Sequence, residues 1–106
     1  MPVIKIFTAD PVSPAHAEAV GADLESLCLD WLRADPSAIQ IAFASALIIR
    51  GAPVLVEVHY RAQPHRDAAA LAGFMEGVER SVSQHLGRTP RIRCFSVESA
   101  SLSARN

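Results

Sequence analysis

The run Pro53-Val54-Leu55-Val56-Glu57-Val58-His59-Tyr60-Arg61 carries the clearest strand signal in the chain. β-Branched and aromatic residues fill it, and a proline opens it. Its side chains alternate between two faces. Val54, Val56, Val58 and Tyr60 fall on one side, and Leu55, Glu57, His59 and Arg61 on the other. The aliphatic side asks for a covering layer. The other side carries charge in mid-strand, which suits either a solvated sheet face or a face that meets further subunits around a shared interior.

The flanks supply that layer. Gln63-Pro64-His65-Arg66-Asp67 reads as a turn. A helix is expected from about Asp67 to Leu86, with Leu71, Phe74, Met75, Val78 and Val82 on one face and Gly87 as its stop. Arg91–Val97 then reads as a strand, with Ile92, Cys94 and Ser96 alternating against Arg91, Arg93, Phe95 and Val97.

The first half repeats this order. Pro2–Phe7 reads as a strand bounded by Thr8-Ala9-Asp10-Pro11. Ser13-Pro14 is a helix start, a capping side chain followed by proline at the first helical position. The helix should run to about Arg33, with Val20, Leu24, Leu27, Cys28, Trp31 and Leu32 at three- and four-residue spacing. Asp35-Pro36 ends it, and Ala38–Ala44 is read as the second strand. Pro2-Val3-Ile4 recurs as Pro53-Val54-Leu55, 51 residues later, and Pro36 is matched by Pro90, 54 residues on. The expected fold is α+β in the order β-α-β-β-α-β. It is one domain over residues 1–106, made of pseudo-repeats at about 2–50 and 53–106. A helical crossover implies parallel pairing within each half and a right-handed connection. Four strands would form one sheet with both helices on one face.

Composition bounds the function classes. The chain has 106 residues, 50% hydrophobic and 20% charged, with a formal net charge of −1. That suits a globular domain and gives no basic excess for nucleic acid. Nine of its ten basic residues are arginine, since Lys5 is the only lysine. Arginine holds carboxylates in a planar fork, although an Ala- and Arg-rich composition also follows from a GC-rich genome. Cys28 and Cys94 each lie in an apolar run without a CxxC or Cys/His cluster, so they read as buried free thiols in a reducing, cytoplasmic setting, with no metal site. No signal peptide is evident, and Ile39–Ile49 is too short and too interrupted to cross a membrane.

Pro2 stands directly after Met1. Removal of Met1 would leave a secondary amine at the chain start. An α-amino group has the lowest pKa of the protein amines, about 8, and burial beside cations lowers it further. A neutral amine is a general base or a nucleophile. Met-Pro is also a common protein start with no chemistry attached. Pro53 is internal and has no amine, so one proline base per chain is the limit.

With its Met-Pro start, strand, long helix, Pro-led second strand and repeat of that unit, the chain resembles the tautomerase superfamily, which includes macrophage migration inhibitory factor and 4-oxalocrotonate tautomerase. The Val54–Tyr60 strand, turn and second helix are most similar to a small uncharacterised bacterial branch of that fold. The resemblance implies a homotrimer with sites between subunits, no cofactor, and the amino-terminal proline as acid–base on small 2-oxo or unsaturated acids. Carried over residue by residue, it makes Pro2 the catalytic group. Arg33, Arg61 and Arg93 become the substrate-binding cations. Arg93 falls near a site tyrosine of the migration inhibitory factor branch, and Arg33 near the family's substrate-binding lysine. This sequence lacks that tyrosine.

Glu57, His59 and Phe95 are secondary candidates on the same strand faces. Glu57 is read as solvated, as catalytic, or as paired with Arg61 or Arg93. His59 is read either as an acid–base group or as an ordinary polar-face histidine. Two functional readings stand together: a cofactor-independent tautomerase, or a non-catalytic oligomeric module of the same fold. A ferredoxin-like domain shares the element order. RNA binding by such a domain would call for paired exposed aromatics and basic charge that the sequence lacks.

Overall fold

The computed structural model describes residues 1–106. Strand β1 is Val3–Thr8, helix α1 is Pro14–Trp31, β2 is Gln40–Ser45, β3 is Val54–Arg61, α2 is Ala68–Leu86 and β4 is Arg91–Val97. The sheet order is β2-β1-β3-β4. β1 pairs parallel with β2, and β3 parallel with β4, while β1 and β3 meet antiparallel at the centre. Each half is therefore a β-α-β unit with a helical crossover, as the element order required.

Alternation sorts the residues between layers. Pro2, Ile4, Ile6 and Thr8 are buried on the helix side, as are Val54, Val56, Val58 and Tyr60. From α1 come Val20, Leu24 and Cys28, and from α2 come Phe74, Val78 and Val82. The helices meet closely because α2 presents glycine where α1 presents bulk. A Cβ on Gly73 would lie 2.5 Å from the Trp31 ring, and one on Gly77 would lie 2.4 Å from Leu27 Cδ2. Trp31 thus sits at the margin of the helix pair, 43% exposed.

The element ends differ from the sequence expectation for local reasons. Leu32 caps α1, and Arg33 follows in the left-handed region at φ 50°. The Ala34 N–H then returns to the Cys28 carbonyl at 3.1 Å, so the helix closes before Arg33. β2 begins at Gln40 because Pro36–Ala38 forms a 3-10 turn, with the Asp35 side chain accepting from the Ser37 N–H. Asp67 is the N-cap of α2 and accepts from the Ala70 N–H at 2.9 Å. Gly87, at φ 67°, closes α2 in a left-handed turn that glycine enters without strain.

Arg66 ties the halves together. Its Nε donates to the Leu32 carbonyl at 2.8 Å, and its Nη1 donates to the Arg61 carbonyl at 2.7 Å. It thereby satisfies the end of α1 and the end of β3 with one guanidinium. Burial pulls that guanidinium down from its usual pKa.

No helix is long and apolar enough to cross a membrane. No group of three or more His, Cys, Asp or Glu side chains gathers where a metal ion would sit.

Candidate active site

β1 carries Pro2 at its head. The Pro2 ring is buried toward the helices, in phase with Ile4 and Ile6. Its carbonyl accepts from the Gln40 N–H at 3.0 Å, which holds the first residues of β1 against β2. A cavity of about 570 Å³ opens there, lined by Met1, Val3, Ser37, Gln40 and Arg61, among others. The chain end closes its other side. After a 3-10 turn at Ser99–Ser101, Leu102, Ala104 and Asn106 also line the cavity. Part of the Glu98–Asn106 segment is thus packed beside the chain start.

The polar groups around this cavity come from two segments. Ser37 Oγ donates to Asp35 Oδ1 at 2.9 Å, and the Ser37 N–H donates to the same oxygen at 3.0 Å. These bonds, the backbone one first, hold the Asp35 carboxyl below its usual range, and the positive chain terminus adds to the effect. The Met1 ammonium therefore lies within electrostatic reach of Asp35. From β3, Arg61 reaches the cavity with its Nε buried and without a hydrogen-bond partner.

Of the three arginines singled out in the sequence, only Arg61 lines this cavity. Pro2 itself is not one of its lining residues, since its ring is buried on the helix side. Arg33 is exposed in its left-handed turn and does not line the cavity. Arg93 is exposed on the open face of β4, where its Nη1 donates to the Ile92 carbonyl at 2.9 Å. The secondary candidates form a separate cluster on that open face. Glu57 faces Lys5 on β1 and Arg93 on β4 in register, yet its contact is with the His59 ring, Nε2 to Oε2 at 4.0 Å. The expected pairing with Arg61 or Arg93 is not formed. His59 stacks on Phe95, with centroids 4.9 Å apart and planes 19° from parallel. His59 faces Val3 across the sheet, one residue beyond Pro2.

Sequence reasoning missed Asp35, Ser37, Gln40 and the chain end. The signal for the first two was present in Asp35-Pro36-Ser37, a self-capping turn at the foot of α1. Nothing in the polar string after Val97 pointed to the cavity.

No protein-family model matches the sequence, and no curated protein does. Solved structures match it throughout. A fused 4-OT wild-type symmetric trimer aligns with a TM-score of 0.82 at 16% identity, over 98% of this chain and 92% of that one. Macrophage migration inhibitory factor of Toxoplasma gondii aligns at 0.78 and 13% identity, over 95% and 94%. Pt0534 inactivated by 2-oxo-3-pentynoate aligns at 0.82 and 9% identity, over 96% and 90%. With its β2-β1-β3-β4 sheet and two helices on one side, the chain has the fold of the tautomerase superfamily. At these identities the likeness is one of fold, and the chemistry must be argued from the residues.

Proposed function

We propose that this protein is a cofactor-independent tautomerase acting on a small 2-oxo or unsaturated carboxylic acid, with Pro2 as its acid–base after removal of Met1. The observation that carries this reading is the cavity at the head of β1. It joins the chain start to Arg61, a guanidinium whose buried Nε lacks a partner. A substrate carboxylate would satisfy that donor. The neutral Pro2 amine would take a proton from the carbon beside the substrate carbonyl. The electron pair moves to the carbonyl oxygen, and a proton delivered there gives the enol, with no net gain or loss of atoms. The Gln40 side-chain amide is the nearby donor for the developing oxyanion, since both Ser37 donors are already used by Asp35.

We further propose a homotrimer. The open sheet face carries Val3, His59 and Phe95 in one row and Lys5, Glu57 and Arg93 in the next. Leu47 and Ile49, in the β2–β3 connection, are 88% and 72% exposed. Apolar exposure of this kind marks a contact surface. In such an assembly Arg93 has the length to serve a neighbouring subunit's cavity. Known structures of this fold include a symmetric trimer.

The test is phenylpyruvate tautomerisation by the Met-free chain, with intact mass confirming its start. One residue added ahead of Pro2 converts its amine to an amide. General acid–base groups contribute about 10²- to 10⁴-fold, so a loss of at least about 10²-fold is expected. An unchanged rate removes Pro2 from the mechanism and leaves the non-catalytic module as the reading. Sizing tests the assembly, since a monomer at micromolar concentration excludes the trimer.

A further inference from the structure

A second cavity, of about 290 Å³, lies at the opposite end of the open sheet face. The cavity beside Met1 touches β1 at Val3, whereas this one touches β1 at Phe7, and the two share no residue. Phe7, Ile48 and Leu55 supply apolar walls, and Arg50, Arg91 and Glu57 supply charge. The cavity stands where β3 and β4 begin their pairing, at Leu55 and Arg91. The cavity beside Met1 stands where β1 and β2 begin theirs, at Val3 and Gln40. The position filled by neutral Gln40 at one end is thus filled by a cation at the other.

Neither Arg50 nor Arg91 takes part in any ion pair or side-chain hydrogen bond of the chain. The other arginines with a carboxylate in reach use it, Arg80 with Glu76 and Arg88 with Asp10. Glu57 lines the same cavity, yet its side-chain contact at 4.0 Å is the His59 ring rather than either arginine. Two like charges at one cavity repel, and an anion between them removes that cost. The loop is shaped to hold one of them. Gly51 has φ +105°, and a Cβ there would come within 3.3 Å of Arg91 Nη1. The backbone therefore lies directly against the guanidinium in a conformation that side-chain-bearing residues resist.

We propose that this cavity is a second ligand site, which binds a small aromatic or branched monocarboxylate between Arg50 and Arg91. The planar guanidinium fork matches a carboxylate. The apolar walls take a single ring or short branched chain, and the volume lies at the lower limit of ordinary ligand pockets, about 300 Å³. Glu57 sets the charge. Two arginines and one carboxylate leave a net of +1, which suits a monoanion better than a phosphate dianion.

Titration of the ¹⁵N-labelled protein with sodium benzoate at fixed ionic strength tests this. The amides of Gly51, Leu55 and Arg91 should shift and saturate. The double variant Arg50→Met with Arg91→Met should bind at least about tenfold more weakly while keeping a dispersed spectrum, since charge-assisted pairs are the strong ones. Gly51→Ala should weaken binding as well. Pro2→Ala and Arg61→Met should leave it unchanged, which separates this site from the proposed tautomerase site. Inorganic phosphate at the same concentration should leave these amides unmoved. Shifts centred on Val3 and Gln40, or benzoate affinity untouched by the double arginine variant, would overturn the proposal. Equal response to phosphate would overturn the monocarboxylate assignment.

Discussion

The Pro2 carbonyl and the Gln40 N–H are joined at 3.0 Å, so the chain start is already part of the sheet before β1 formally begins. In the proposed mechanism, removal of Met1 would leave the Pro2 amine on a residue whose carbonyl stays anchored, and general-base chemistry requires such a fixed direction. The same cavity is closed by Leu102, Ala104 and Asn106. Truncation after Ser101 should therefore raise KM for phenylpyruvate several-fold and leave kcat nearly unchanged, because the tail covers substrate without touching the amine. Steady-state kinetics of the truncated chain check this, and equal KM values would show that the tail is not a wall of the site.

Arg66 should matter to stability more than to chemistry. Arg66→Met strips the Leu32 and Arg61 carbonyls of their side-chain donor. His65 Nε2 remains 3.2 Å from the Leu32 carbonyl and offsets part of that loss. Each unsatisfied, partly buried group costs about 1–3 kcal/mol, so a loss of about 2 kcal/mol in urea unfolding is expected. A change below about 0.5 kcal/mol would mean that water replaces the guanidinium at both carbonyls.

Gly73→Ala tests the contact between the helices. Alanine favours a helix over glycine by about 1 kcal/mol. Here the new Cβ would meet the Trp31 ring at 2.5 Å. Overpacking costs about 1–3 kcal/mol, so net destabilisation and a shifted Trp31 emission are expected. Net stabilisation would show that the half-exposed ring simply swings away.

The thiols give a pH test. Burial pushes Cys28 up to about 12 and Cys94 up to about 11, from 9.0. In the folded chain both stay protonated where unfolded thiols ionise. Their contribution to stability is therefore complete below about pH 9 and declines as pH rises toward 11 and 12. Native protein at pH 8 should resist alkylation at Cys28, and denatured protein should label at both thiols. Cys28→Ala should show a shallower loss of stability above pH 9. Rapid native labelling of Cys28 would contradict its burial.

The sequence was most legible where alternation and spacing coincide. Val54, Val56 and Val58 told their face correctly, as did Phe74, Val78 and Val82. The repeated strings misled by one residue. Pro2-Val3-Ile4 matches Pro53-Val54-Leu55 in letters, but Val3 faces the open side and Val54 the helices. The sheet register sets Val3 against Gln40 and Leu55 against Arg91 as the first pairs. A slip of one residue exchanges faces in a strand, so short matching strings do not by themselves align the halves. The site was less legible than the fold. Arg33, Arg61 and Arg93 look alike in sequence. The left-handed turn at Arg33 and the mid-strand place of Arg93, opposite Glu57 rather than at the Arg61–Val97 end, separate them from Arg61, and both depend on tertiary geometry.

Covalent labelling with 2-oxo-3-pentynoate addresses the central claim most directly. That compound inactivates Pt0534, which shares this fold. Intact-mass and peptide mapping of the treated Met-free chain should place one adduct on Pro2, with tautomerase activity lost in proportion to labelling and protected by phenylpyruvate. A tautomerase activity that persists while Pro2 is fully labelled, or an adduct confined to another residue, would contradict the account.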